Sequence, residues 1–317
     1  MAWKRMRLST KIIVVITLTL SLFVVGATLK YIAVISQGSL LTLPSTRILF
    51  LGDVMFDRDI RRLGEENGYQ SLWGDSGHVF KRYDDVIFNL EGPITSNPSV
   101  SQSSTIGEVE NTTFTFSAKA LEELPEGTNY IAHIGNNHIF DFNAQGVYFT
   151  VRALSASGIS YFGDIDSDML LSSSITLENG AVTIISFNEF LGNGSNYVLE
   201  TIKQFKKESP FIIVYTHWGV EYEFDQPEYI EKLAHQFIDA GADLVVGSHP
   251  HVIGKIENYK GKHIYYSLGN FIFDQYWDQR VRCGIALDVR IFNDGSVAFN
   301  TIESSFAHGR IEWGVCT

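Results

Sequence analysis

"GADLVVGSHPHVIG", residues 241–254, sets a pattern that recurs along the chain. Leu244, Val245 and Val246 form an apolar run that stops at Gly247, and His249 and His251 then flank Pro250. A short apolar run closed by a turn signal reads as a buried strand. Two imidazoles one residue apart at its end either satisfy backbone groups in a turn or hold a metal. Proline stiffens the backbone between them.

The same grammar appears five more times. "RILFL" is followed by Gly52-Asp53, "VIF" by Asn89-Leu90-Glu91, and "YIAHI" by Gly135-Asn136-Asn137-His138. "FIIVY" leads to Thr216-His217, and "HIYYSL" to Gly269-Asn270 and, after "FIF", to Asp274. Between the runs lie helix-like stretches, Gln145 to Ser157 and Pro227 to Ala240. The second opens on proline and stops before Gly241, the expected asymmetry of helix ends. Residues 174–187 read as a hairpin turning at Asn179-Gly180, and Arg290 to Phe299 as another turning at Asn293-Asp294-Gly295. Alternating strands and helices predict an α/β fold, and the hairpins predict mixed sheets. Residues 96–113, rich in Ser, Thr and Asn, read as an exposed loop placed to cover the strand ends.

Charge divides the chain. Of 24 basic residues, Lys4, Arg5, Arg7, Lys11 and Lys30 lie in the first 45 positions, which hold no acid. The remainder therefore carries 19 basic against 36 acidic residues. So acidic a body repels nucleic acid. Residues 12–29 are apolar and uncharged, about the length that crosses a bilayer. Basic residues before them and acids after match the positive-inside rule. The expected organisation is a cytoplasmic tail over 1–11, a single transmembrane anchor over 12–29, a linker over 30–45 and an extracytoplasmic domain over 46–317. A cleaved signal peptide is the alternative. Cys283 and Cys316 are the only cysteines; two thiols in an exported chain can pair, and nothing in their spacing requires it.

In open α/β sheets ligands bind at the C-terminal strand edge. Each polar ending has a bland reading on its own: Asp53 as a helix N-cap, Glu91 in a solvated turn, Asn136 and Asn137 in left-handed turns. Their recurrence at strand ends points to one shared site. Asp, Glu, Asn and His donors suit a divalent ion such as Mn²⁺, Zn²⁺ or Fe, and one or two such ions activate water. His138 is placed as a general acid, Asp141 three residues on as its orienting carboxylate, and Glu221 and Asp274 as further acids at the edge. Asn89, Asn136 and Asn270 complete the lining.

"GDVMFDR", "NLEGP", "NNHIFDFNAQGVYFT", "HWGVEY", "GADLVVGSHPHV" and "YYSLGNFIFD" together resemble, in order, the motifs of the CapA family of capsule-synthesis proteins, over about residues 46–275. That family is similar in fold to calcineurin-like metallophosphoesterases, so the resemblance implies one domain built as a four-layer α/β/β/α sandwich. It implies metal ligands at Asp53, Glu91 (bridging), Asn137, His217, His249 and His251, with His138 in the Asn-His pair. In one respect the chain departs: metallophosphoesterases carry Asp-x-His in the first motif, and here Met55 stands in the histidine's place. The resemblance also implies a role in making, releasing or exporting an anionic envelope polymer, above all poly-γ-glutamate, beside other membrane subunits of a synthase complex. Two alternatives stay open: a surface metal-dependent phosphatase or phosphodiesterase, and a metal-independent, epimerase-like peptide-modifying enzyme.

Overall fold

The structure, a computed structural model, describes residues 45–105, 107–165, 172–177, 181–314 and 316. Apart from Ser45, the expected tail, membrane segment and linker lie outside the described residues. Among the described residues no helix is long and apolar enough to cross a membrane. Thr46–Ile291 and Val297–Thr317 form one compact unit. Phe292–Ser296 belongs to a second unit and closes a turn in which the Phe292 N–H bonds the Ser296 carbonyl at 2.9 Å.

Each apolar run becomes a strand. In chain order they are β1 (Ser45–Val54), β2 (Asp85–Leu90), β3 (Asn129–His133), β4 (Ser160–Phe162), β5 (Ser174–Thr176), β6 (Val182–Asn188), β7 (Phe211–His217), β8 (Leu244–Ser248), β9 (Ile256–Tyr259), β10 (Lys262–Tyr265), β11 (Asn270–Ile272), β12 (Cys283–Phe292), β13 (Val297–Ala307) and β14 (Arg310–Trp313). They build two sheets. One runs β14-β13-β12-β1-β2-β3-β4 with β11 also paired to β1; the other runs β5-β6-β7-β8-β10-β9. The first is parallel from β1 to β4 and antiparallel from β12 to β14, and the second has a parallel centre with an antiparallel strand at each margin.

The longer helices are α1 (Arg58–Asn67), α2 (Asn143–Ala156), α3 (Ser195–Phe205) and α4 (Glu228–Ala240). Alternate strand residues enter different cores, as the two-residue period requires. Leu49, Leu51, Val86 and Phe88 pack with Ile60 of α1 and with Val147 and Leu154 of α2. Ile48, Phe50 and Ile87 meet Ile184, Ile213, Tyr215 and Val246 of the second sheet. Ile212, Val214 and Val245 face Val198 and Ile202 of α3 and Ile230, Ala234 and Phe237 of α4. The layers are thus helices, sheet, sheet, helices, with apolar burial supplying the adhesion between them.

Local expectations shift by small amounts. The first expected helix begins at Asn143 and ends at Ala156, and the second begins at Glu228 with Pro227 as its N-cap. β5 and β6 pair antiparallel as the expected hairpin does, while its Asn179-Gly180 turn lies outside the described residues. The 96–113 segment is not wholly exposed: it contains 3₁₀ turns at Ser101–Ser103 and Val109–Thr112, and Ser101 is buried. The N-cap role weighed for Asp53 belongs to Asp57, whose carboxylate accepts from the Arg58 N–H at 2.9 Å.

Candidate metal centre

Strand register places the site. Across the first sheet Asp53 pairs with Asn270 on β11 and with Asn89 on β2, and Asn89 pairs with His133 on β3. Across the second, Asn188 pairs with His217, and His217 with Ser248. Two rows of polar residues therefore meet at the C-terminal edges of two packed sheets. The β1–β2 register shifts between Phe50 and Asp53, the kind of irregularity that re-aims a side chain. Gly52 lies in that shift, and a Cβ there would stand 2.0 Å from the Gly269 carbonyl oxygen. Only glycine lets β1 and β11 close around Asp53.

The loop after β8 brings in the two histidines. His249 has φ 98° and His251 φ 59°, positive values that side-chain-bearing residues adopt at an energetic cost of about 1–3 kcal/mol each. The loop's return follows from contacts across the sheets. The His249 N–H donates to Asp53 Oδ2 at 3.2 Å, and His251 Nδ1 lies 2.9 Å from Asn270 Oδ1.

Two groups of ligand atoms result, Asp53–Glu91–His251 and Glu91–His217–His249, each with its donors within 4.8 Å of one another. Glu91 is common to both. Asn137 Oδ1 lies 2.8 Å from His217 Nε2 and so adjoins the second group. All the charged or ionisable members are buried. Asn89 Nδ2 spans the acids, donating to Asp53 Oδ1 at 2.9 Å and to Glu91 Oε2 at 3.1 Å. Within these two groups Glu91 Oε1 and His249 Nδ1 are buried without a hydrogen-bond partner, although His251 Nε2 stands 3.4 Å from that same Glu91 oxygen. Orphaned donors and acceptors of this kind destabilise a fold unless something else takes them up. These residues fit a hard or borderline divalent ion on each side of Glu91.

Electrostatics point the same way. Burial and the neighbouring Asp53 charge push Glu91 well above the usual carboxylate range. Burial also opposes ionisation of Asp53, but His251, Asn89 and the His249 N–H hold it below that range. Burial pulls His251 down, and the Glu91 and Asp53 carboxylates more than offset this, lifting it to about 9. His249 falls to about 3, chiefly by burial, and His217 drops well below its ordinary value through burial and its imidazole neighbours. His217 and His249 stay neutral and able to coordinate, whereas His251 holds a proton between the two carboxylates that an ion bound by Asp53, Glu91 and His251 would have to displace.

His138 is half-buried beside this centre. Its Nδ1 lies 3.0 Å from Asp141 Oδ2, which also accepts the Phe114 N–H at 2.7 Å. An acceptor-only carboxylate fixes the proton on Nδ1 and leaves Nε2 free to exchange one. Asn136 orders the turn, accepting from the His138 N–H at 3.1 Å and donating to Asn89 Oδ1 at 3.1 Å. Glu221 and Asp274 lie outside both ligand groups and line the adjoining cleft, with Asp274 paired to Arg58.

Several participants are absent from the sequence-based set. His133 is fully buried, with Nδ1 3.3 Å from Asn89 Oδ1 and Nε2 2.8 Å from Ser186 Oγ, and burial lowers it to about 3. Ser248 Oγ holds His217 Nδ1 at 3.0 Å. A histidine inside the apolar run "YIAHI" was the available signal, because a buried imidazole demands partners. Met55, in place of a ligand, is fully buried, and its sulfur accepts the Asp57 N–H at 2.8 Å.

The chain is 30% identical to the PGA biosynthesis protein CapA of Bacillus subtilis (strain 168) over 268 residues, 79% of this chain and 69% of that one. It is 25% identical to the capsule biosynthesis protein CapA of Bacillus anthracis over 279 residues, covering 82% and 67%. Among solved structures, TT1561 of Thermus thermophilus matches at a TM-score of 0.44 and 11% identity over 81% of this chain and 99% of that one, too remote to bear on the chemistry. A family model spans residues 47–275, a stretch holding every ligand named above, and the chain belongs to the family of bacterial capsule synthesis proteins, PGA_cap.

Proposed function

We propose that this protein is a membrane-anchored, outward-facing member of a capsule-polymer assembly. In this reading it acts on poly-γ-glutamate during synthesis, release or export, through a divalent metal centre. The carrying observation is that Glu91 belongs to two ligand groups while its Oε1 and His249 Nδ1 are buried without hydrogen-bond partners. The relatives' names, PGA biosynthesis and capsule biosynthesis, supply the polymer class. The uncharged stretch over residues 12–29 would supply the anchor, and a Cys283–Cys316 disulfide suits an oxidising location.

Asp53, Glu91 and His251 would hold an ion on one side, and Glu91, Asn137, His217 and His249 on the other. Met55 leaves the first set one side chain short of the metallophosphoesterase pattern. A bound ion supplies Lewis acidity and an activated water. Asn89 keeps the two carboxylates at fixed separation, and Ser248 orients His217. His138, its Nδ1 committed to Asp141, delivers a proton from Nε2 to a leaving group in the cleft or takes one up.

The test is metal analysis of the full-length protein after equilibration with Mn²⁺, Zn²⁺ and Fe²⁺ at neutral pH, paired with poly-γ-glutamate and phosphodiester cleavage assays. At least about one ion per chain is expected, lost in the double variant His249→Ala/His251→Ala. Protein that stays metal-free ends the reading, and phosphodiester cleavage without action on the polymer would move it to a phosphodiesterase.

A further inference from the structure

Beside the metal centre opens a cleft of about 610 Å³, within the range of ligand sites. Its lining includes Gln102, Ser104 and Asn111 from the 96–113 segment, and Phe273, Tyr276 and Trp277. His138 and His251 line it as well, joining it to the metal centre. Among the described lining residues, Arg58 is the one lysine or arginine.

Arg58 is held in an unusual way. Its backbone has φ 50°, directly after the Asp57 cap. The guanidinium lies over the rings of Phe114 at 5.0 Å and Phe273 at 5.6 Å. One terminal nitrogen pairs with Asp274, and the other donates to the Asn111 carbonyl at 3.3 Å. Asp274 is itself fixed, accepting the Asp59 N–H at 3.2 Å. A guanidinium carries more N–H donors than two acceptors use, and Nε is buried with no partner. The side chain is 15% exposed, so water satisfies little of the deficit. Such a fork suits a planar, acceptor-only anion.

We propose that this cleft binds a carboxylate-bearing polyamide, and that Arg58 takes the carboxylate of the residue next to the metal centre. The proposal rests on the reading above and names the residue that selects the substrate. Each chemical part of a γ-glutamyl chain has a counterpart in the cleft. Arg58 meets the carboxylate, the side-chain amides of Gln102 and Asn111, the latter steadied by Ser104 Oγ at 3.2 Å, meet the peptide links, and Trp277, 63% exposed, meets the methylenes. A protein of net charge −12 repels a polyanion at long range, and Glu221 and Asp274 add acids to the cleft itself, so docking depends on its few local cations, of which Arg58 is the one that stays charged at every working pH.

The experiment is calorimetric titration of Mn²⁺-equilibrated full-length protein with a short γ-linked glutamate oligomer and with the matching γ-linked glutamine oligomer. Wild type should bind the acidic oligomer at least tenfold more tightly. Arg58→Gln should erase that preference without changing bound metal, and Arg58→Lys should retain part of it. Equal binding of the two oligomers by wild type overturns the proposal with no variant needed, and so does an undiminished preference in Arg58→Gln. Absence of bound Mn²⁺ defeats the metal reading instead, while a surviving Arg58-dependent preference would still uphold the carboxylate site.

Discussion

Asn89 shows how one buried amide organises the centre. Its Oδ1 lies within reach of His133 and Asn136, so its Nδ2 must face Asp53 and Glu91. Asn89→Asp keeps the shape but puts a third carboxylate where a donor was. Metal-free protein should lose about 3 kcal/mol, the scale of breaking a buried charged network, and added Mn²⁺ should restore more of its melting temperature than it adds to wild type. An unchanged metal-free melting temperature would show that Asn89 is not holding the acids. At this scale the sequence is half legible. Asp53, Glu91, His217, His249 and His251 stand out because polar residues closing apolar runs are visible in one dimension. His133 and Ser186 are hidden because they lie inside such runs, and only strand pairing shows that the Asn89 row continues to them.

Among elements, the strands of the second sheet explain what periodicity leaves open. β6 and β7 are buried along their whole length, so their sequences carry no apolar–polar alternation to say which face meets which layer. The runs therefore reveal strands without revealing that two sheets share them, a point that came from family resemblance. Where β1 and β11 close, Gly52→Ala would drive a methyl group into the Gly269 carbonyl at 2.0 Å. The expected loss is about 3 kcal/mol or more, read by denaturant unfolding, together with weaker metal uptake because Asp53 moves; a fold and affinity like wild type would contradict the close approach. At the far end of the second sheet, Asp243 bonds Lys206 and Lys262 at 2.8 Å each and the Ile212 N–H at 3.0 Å. Burial raises its pKa, but the two lysines and that N–H bring it below the ordinary carboxylate value. A depressed folded pKa contributes stability above the unfolded value near 4 and loses it as pH falls through the folded one. The stability difference between wild type and Asp243→Asn should therefore be constant above about pH 5 and shrink below about pH 4. A difference independent of pH in that window would assign the effect to packing alone.

At the scale of the whole molecule, the Cys283–Cys316 disulfide links the start of β12 to the chain beyond β14, with its Cα atoms 5.6 Å apart and the cysteines separated by 33 positions in sequence. The β12–β13–β14 ladder already orders that segment in the folded protein, so the bond acts mainly on the unfolded chain, by about 3–4 kcal/mol for a loop of this length. The double variant Cys283→Ser/Cys316→Ser should unfold at correspondingly lower denaturant concentration with an unchanged fold. The same bond tests the proposed location, because structural disulfides persist outside the cytoplasm and are rare within it. If the domain faces outward behind a membrane anchor, protein taken from intact cells under thiol-trapping conditions should resist maleimide labelling until reductant is added. Protease added to those cells should also digest the domain. Two free thiols in the trapped native protein, with the domain protected from a protease shown to reach the cell surface, would place the domain inside and remove the basis for an outward-facing role in capsule assembly.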